Sequence, residues 1–477
     1  MKISDNLQDN IKIIKERLPL DKSFDVIGRE LNFGCTQGYL VFIDGFVKDD
    51  IMLWLLEKLQ SLPDKKTKVN NLEKWIQSHI GYVETETISD FDQLEFSVLS
   101  GAVVLLLEDQ TEAILIDART YPARGPEEPE LEKVTRGSKD GLVETIIFNT
   151  ALIRRRLRDP KLIFEMTHVG TRSKTDIAIG YIDDLVEKKL LYQVKKKLEN
   201  IEVDSLVMGE KSLEELLIKK KWYDPLPQAK FTERPDVVAA HLNEGHIAIL
   251  VDTSPSVMLL PVTFFHFTQH SEDYYQNPLI GTYIRWIRFL AIFCSLILTP
   301  LWLQLVEHKD LLPEALQFIG PKEEVMIPLF AQFILLEIGL DIIRLASIHT
   351  PSSLSNSLAI IGGLILSQFA VDVGWFVPET ILYMAIVGIS TFATPSIEFS
   401  QAIRIFRMFL LIFSGLFNTI GFVIALIIIL IIIFTTKTFS GIRYTWPLIP
   451  FNKEALANVL LRKPIIEIKR NNKKKEN

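Results

Sequence analysis

Five apolar stretches crowd into residues 283–436, and no water-soluble fold accommodates them together. They are Tyr283–Val306, Val325–Ala346, Leu354–Val371, Val377–Ala393 and Ile405–Phe434. A membrane-spanning helix needs about 20 apolar residues, within a range of roughly 17–25. Residues 283–436 carry only 7 basic and 10 acidic side chains. Residues 1–282 carry 35 basic and 46 acidic ones, and 437–477 carry 10 basic and 3 acidic. The chain of 477 residues, net charge −7, thus divides into an acidic part, an apolar part and a basic tail. That division excludes a purely soluble enzyme, a disordered chain and a nucleic-acid binder driven by bulk positive charge.

The flanking charges set an expected orientation, because Lys and Arg favour the cytoplasmic side. Arg285 and Arg288 put the start of the first stretch inside, and the mostly acidic loop Glu307–Glu324 outside. Arg404 and Arg407 put the loop before the fifth stretch inside, and the tail KRNNKKKEN is inside as well. Two inside ends require an even number of crossings, and five stretches are odd. The fifth, as one helix, would be roughly 45 Å long against a hydrocarbon core of roughly 30 Å. Gly415–Gly421 (GLFNTIG) is its natural breakpoint, with Asn418 and Thr419 available to satisfy freed backbone groups. The alternative puts the second stretch in the interface, because Glu337, Asp341 and Arg344 share one helix face at i, i+4 and i+7. The loop charges favour the hairpin.

The same three intramembrane charges have two readings. They form a locally neutralised stripe, or they belong to an ion path. The third stretch also divides two ways. Ser357, Ile361, Leu364 and Gln368 fall on one side, and Asn356, Gly363 and Ser367 on a neighbouring one. Small and weakly polar residues suit close helix packing, and they also suit a pore wall.

Residues 1–282 alternate strand-like and helical patterns. Gly38–Asp44, Ala102–Leu107, Ala113–Asp117, Phe164–Val169, Thr175–Ile182 and Gly245–Asp252 read as apolar strands. Lys48–Leu59, Gly141–Arg158 and Asp183–Asn200 read as helices. The fold class expected is an α+β multidomain membrane protein. Two α/β subdomains, 1–135 and 136–275, are joined by an Arg-rich helix. A helical polytopic membrane domain (283–436) and a basic tail (437–477) follow. Arg154, Arg155, Arg156 and Arg158 are either a solvated helix end or an interface pairing with Glu127, Glu128, Glu130 and Glu132. The two cysteines, Cys35 and Cys294, exclude a disulfide framework. His266 and His270, four apart, are a weak metal pattern. No phosphate loop, no nucleophile–base pair and no metal set appears, so neither an enzyme nor a cofactor is expected. A secondary transporter lacks the expected internal repeat across the five stretches.

Two long segments resemble a known family. Arg119–Leu162 (RTYPARGPEEPELEKVTRGSKDGLVETIIFNTALIRRRLRDPKL) and Ile327–Ser396 resemble the A subunit of the GerA-type spore germination family. FDVIGRELNFG, YLVFIDGFVKD and SIHTPSSLS are most similar to its SpoVAF branch. The resemblance implies a multi-pass protein of the endospore inner membrane, with the N-terminal domain and C-terminal tail cytoplasmic. It implies a ring oligomer, a pentamer, that releases monovalent ions early in nutrient-triggered germination or amplifies that release. Implied partners are a transporter-like B subunit and a lipoprotein C subunit, or a small accessory membrane protein, and not nucleic acid. Carried over by position, Leu354–Val371 becomes the pore-lining helix, with Ser357, Ile361, Leu364 and Gln368 as its candidates. Glu127, Glu128, Arg154, Arg155 and Arg156 fall near subunit contacts. A non-conducting scaffold is the alternative.

Overall fold

The structure, a computed structural model, describes residues 1–33, 36–62, 69, 72–80, 84–119, 134–135, 137–219, 221–322, 325–349 and 371–463. The chain forms two units. One is Met1–Lys219 with Ala229–Pro261, and the other is Lys220–Gln228 with Val262–Asn477.

The first unit contains two five-stranded sheets. Strands β1 (Val26–Phe33), β2 (Thr36–Ile43), β3 (Thr85–Ile88), β4 (Val103–Leu107) and β5 (Ala113–Ile116) are ordered β1-β2-β4-β5-β3. Strands β6 (Leu162–Val169), β7 (Thr175–Ile182), β8 (Lys230–Thr232), β9 (Ile247–Val251) and β10 (Val257–Leu260) are ordered β6-β7-β9-β10-β8. The second order is the first shifted by five. All these pairings are antiparallel. The unbroken apolar runs of the strands have a physical cause. Helices α1 (Leu7–Arg17) and α4 (Phe91–Leu99) pack with Val104 and Leu106 on one side of the first sheet. Helices α2 (Asp49–Gln60) and α3 (Leu72–His79) pack with Val103, Leu105 and Leu107 on the other. A sheet covered on both faces loses the apolar–polar alternation that marks most antiparallel strands.

The duplication extends to turns. Gly101 and Gly245 each stand two residues before a central strand, at φ +98 and +86. Asp109 and Thr253 each stand two residues after one, at φ 61 and 67. Ile43-Asp44-Gly45-Phe46-Val47 matches Ile182-Asp183-Asp184-Leu185-Val186 at the same place in each half. That match was the available signal for the repeat.

Helix α5 (Ile146–Arg156) is the joint between the halves, as the sequence suggested. Ala151 enters the first sheet's core, while Leu152 and Ile153 enter the second's. Helices α6 (Lys188–Glu199), α7 (Gly209–Leu217) and α8 (Pro235–Asn243) complete the second half. Arg154 fastens the joint. Its Nε donates to Asp25 at 2.5 Å, and its Nη2 donates to Asp25, to the Leu162 carbonyl and to the Ser23 hydroxyl. The Ser23 hydroxyl accepts from the Phe164 amide at 2.8 Å. The entries of β1 and β6 are thereby tied by one guanidinium.

The second unit is helical: α9 (Glu272–Tyr275), α10 (Pro278–Glu307), α11 (Leu329–His349), α12 (Pro378–Phe392), α13 (Ile397–Thr435) and α14 (Lys453–Leu460). Helices α10 and α13 are long and apolar enough to cross a membrane, and α12 is a shorter apolar helix. Straight, the 39 residues of α13 would reach about 58 Å. They do not run straight. Asn418 has φ 52 and ψ −140, outside helical space. Phe399 near the start of α13 and Tyr444 beyond its end both approach Phe264, at 5.1 and 6.4 Å between ring centroids. Leu410 and Ala425, one from each arm, share a buried cluster. A Cβ on Gly421 would strike the Phe413 carbonyl, which only a reversed chain permits. The helix is therefore a hairpin with arms 397–417 and 419–435, broken where the sequence placed the break.

Contacts fix the direction of each helix. His308 meets Thr419 at the hairpin tip at 3.3 Å, and Ser295 meets Arg407, so α10 and the first arm run together. Gln332 accepts from Val377 and Thr380, and Arg344 stacks on Phe392, so α11 and α12 run together. Glu337 bonds Arg407 and Asp341 bonds Arg404, so α11 opposes the first arm. The bundle has a His308 end and a Phe264 end. Both α11 and α12 start at the first and finish at the second.

Two outcomes follow for stability. Asp25→Ala leaves the enclosed Arg154 unneutralised and costs about 3–5 kcal/mol. Thermal unfolding should show most of that loss recovered when Arg154→Met is added. Asn418→Gly should leave the melting temperature unchanged, because glycine accepts positive φ. Asn418→Val should lower it, with a backbone cost of about 1–3 kcal/mol.

Candidate functional site

At mid-depth in the helical unit, a guanidinium and a carboxylate meet away from solvent. Glu337 and Arg407 are each 1% exposed. Arg407 holds the carboxylate with two nitrogens, Nε to Oε1 and Nη2 to Oε2, the latter at 2.9 Å. Its remaining terminal nitrogen donates to the Ser295 carbonyl and, at 3.0 Å, to the Ser295 hydroxyl. That hydroxyl pairs with Thr391 at 3.1 Å. One ion pair thus joins α10, α11, α12 and the first arm of α13. Its place, roughly 15 Å along the first arm, is near the midpoint of a 30 Å helix. A two-toothed Arg–carboxylate contact is the strongest geometry for such a pair.

One turn toward the Phe264 end, Arg404 bonds Asp341. This pair is more open, with side chains 22% and 41% exposed. The expectation that Glu337, Asp341 and Arg344 neutralise one another is corrected. The two acids pair across helices with Arg407 and Arg404, and Arg344 lies over the Phe392 ring at 6.0 Å. Arg404 and Arg407 are likewise not loop charges, because the helix begins at Ile397 and carries both inward.

Arg285 and Arg288, also used for orientation, close on Asp273, which is 0% exposed. Arg288 holds it at 2.8 and 2.9 Å and Arg285 at 3.2 Å. Arg285 further donates to the carbonyls of Asn458 and Val459, capping the end of α14. Sequence reasoning missed Asp273 and Asp25, because neither stands at helical spacing from its arginine.

Thr299 Oγ1, both polar atoms of the Gln304 amide and Ser414 Oγ are buried with no protein hydrogen bond. Enclosed polar atoms of this kind call for a water or ion partner. His266 Nδ1 serves a capping box with Thr263, and His270 Nδ1 accepts from the Glu272 amide. Among the described residues no cluster of His, Cys, Asp and Glu is suited to a metal ion.

The other sequence candidates separate. Ser357, Ile361, Leu364, Gln368, Glu127 and Glu128 lie outside the described residues. Arg154 is interior and bonded to Asp25. Arg156 bonds Asp140 and Ser138, and Arg155 is exposed.

The two acids of α11 should respond differently to removal. Glu337→Ala strands Arg407 and should cost about 3–5 kcal/mol. Asp341→Ala should cost less than that, because its pair with Arg404 is only partly enclosed by the bundle. Melting temperatures of the detergent-solubilised chain distinguish the two.

The family described as Bacillus/Clostridium GerA spore germination protein matches residues 12–474. Stage V sporulation protein AF of Bacillus subtilis (strain 168) is 40% identical over 96% of this chain and 92% of its own length. Spore germination protein KA of the same organism is 30% identical over 97% and 85%. The crystal structure of the N-terminal domain of the A subunit of the Bacillus megaterium spore germinant receptor GerK3 is 27% identical. It matches with a TM-score of 0.43, over 55% of this chain and 98% of its own. Matched almost end to end, the chain belongs to the GerA family of spore germination proteins.

Proposed function

We propose that the chain is the membrane subunit of a ring-forming ion channel, a pentamer, in the spore inner membrane. It releases monovalent ions during nutrient-triggered germination or amplifies that release. The observation that carries this reading is the shared direction of α11 and α12. Both run from the His308 end to the Phe264 end, so the chain between them has to return the length of the bundle. Leu354–Val371 lies in that connection and is assigned the return. With α10, α11, α12 and the two arms of α13 it makes six crossings. An even number leaves the sheet unit and the basic tail on one side, the cytoplasmic one.

The described helices turn their charges onto one another: Glu337 onto Arg407, Asp341 onto Arg404. They form a frame rather than a lining. The crossing that carries Ser357 and Gln368 is left to face a shared axis. There hydroxyl and amide groups would replace part of an ion's hydration, and Ile361 and Leu364 would close the path by dewetting. Glu127, Glu128, Arg155 and Arg156 are assigned to contacts between sheet units. Arg154 is left out because it is enclosed. The partners proposed are a transporter-like B subunit and a lipoprotein C subunit, or a small accessory membrane protein.

A non-conducting scaffold is the second reading. It is favoured by how fully the mid-depth charges are satisfied within one chain.

Two measurements test the proposal. Cysteines placed at Thr419 and Lys437 should be labelled from opposite faces of the membrane, and labelling from one face would end the six-crossing topology. Liposomes holding the full chain should leak potassium faster with Leu364→Ala than without. Absence of flux from both, in preparations shown to be intact oligomers, would favour the scaffold.

A further inference from the structure

A short loop that the sequence reading passed over carries an independent feature. The chain enters the helical unit at Lys220–Gln228 and then returns to complete the sheet unit at Ala229–Pro261. The base of this loop is fastened to the Phe264 end of the bundle. Asp224 accepts a hydrogen bond of 2.8 Å from the hydroxyl of Thr436, the residue that caps the second arm of the hairpin. Leu226 is buried in the cluster that holds Phe399 and Tyr444.

The tip is the reverse of its base. Trp222 is 96% exposed and Tyr223 is 49% exposed. The two rings meet edge to face at 5.9 Å, and Lys221 Nζ lies 5.6 Å from the Tyr223 centroid. Lys219 and Lys221 are exposed, as is Lys437 next to Thr436. The neighbouring acid, Asp224, is turned to Thr436. An indole left wholly in water is a poor use of one of the largest apolar side chains. Trp and Tyr concentrate instead at membrane–water interfaces, with the ring at headgroup depth. Lysines beside them add attraction to anionic lipid that decays within a Debye length of the surface.

We propose that Trp222 and Tyr223, with Lys221 and Lys437, form an interfacial anchor that binds the anionic headgroup layer of the bilayer at the Phe264 end of the bundle. This rests on the reading that the helical unit spans the membrane. The occupant is lipid rather than protein because the tip is continuous with the end of a hairpin arm and combines aromatic rings with unopposed positive charge.

The test uses the full chain in vesicles and the fluorescence lost on single Trp→Phe changes. Trp286 is the internal control, since it is 54% exposed on α10 and would face acyl chains. Headgroup-attached nitroxide lipid should quench the Trp222 component, and W222F should abolish that quenching. The quenching should be stronger in phosphatidylglycerol vesicles than in phosphatidylcholine, and Lys221→Gln with Lys437→Gln should remove the difference. Trp222 quenched by aqueous iodide and not by lipid nitroxide would overturn the anchor, as would protection from both quenchers, which would mean a protein partner. If Trp286 were also untouched by bromines on the acyl chains, the membrane-spanning reading itself would fail. Trp286 quenched with Trp222 untouched would sink the anchor alone.

Discussion

A guanidinium placed halfway along a helical bundle has to be met by a carboxylate, or the bundle does not form. Arg407 and Glu337 satisfy this condition with a two-toothed contact, and the Ser295 hydroxyl and carbonyl take the donor left over. Charge in a hydrocarbon setting is costly whichever scale is used. The pair therefore acts as a register pin, because sliding α11 by one turn along the first arm of α13 would keep at most one of the two ion pairs and strand one carboxylate and one guanidinium. Asp341 with Arg404 repeats the contact one turn away at a less enclosed position. The same logic operates in the sheet unit, where Arg154 is enclosed only because Asp25 and Ser23 come to meet it from the other half.

With that register set, the backbone reversal at Asn418 becomes consequential. It converts one long apolar run into two arms whose outer ends converge near Phe264 and whose tip lies beside His308. Arms of about 30 and 25 Å suit a bilayer core as a single rod of about 58 Å does not. The hairpin also carries the tail back to the helix it follows in space, where Arg285 caps α14 while it holds Asp273. A basic segment that looked like a free appendage is thus packed, through residue 463, against the bundle's own start.

The sheet unit shows a different economy. Two antiparallel sheets with one strand order are joined by a helix that gives Ala151 to one core and Leu152 and Ile153 to the other. A shared helix of this kind makes the halves mechanically one body. The tie at Arg154 is joined by bonds from Arg158 to Ser100 and from the Phe24 amide to the Phe164 carbonyl.

Much of this was legible in the sequence. The apolar runs, the strands, the Arg-rich joint and the breakpoint at Gly415–Gly421 all follow from local composition and period, since each depends on residues close together in the chain. Parity of charged ends even asked for the hairpin. Other features needed the tertiary structure. Strand direction was hidden because helices on both faces of a sheet erase the alternation that separates antiparallel from parallel strands. The partners of Glu337, Asp341, Arg154 and Arg285 were hidden because attraction between charges depends on distance in space. Asp25 lies 129 residues from Arg154, and Glu337 lies 70 from Arg407. The sequence by itself determined six of the ten described strands, the Arg-rich helix and the break in the last apolar run, while β1, β3, β8 and β10 carry too little local pattern to be read. Only the tertiary structure decided which charges neutralise one another, because that is settled by packing rather than by order along the chain.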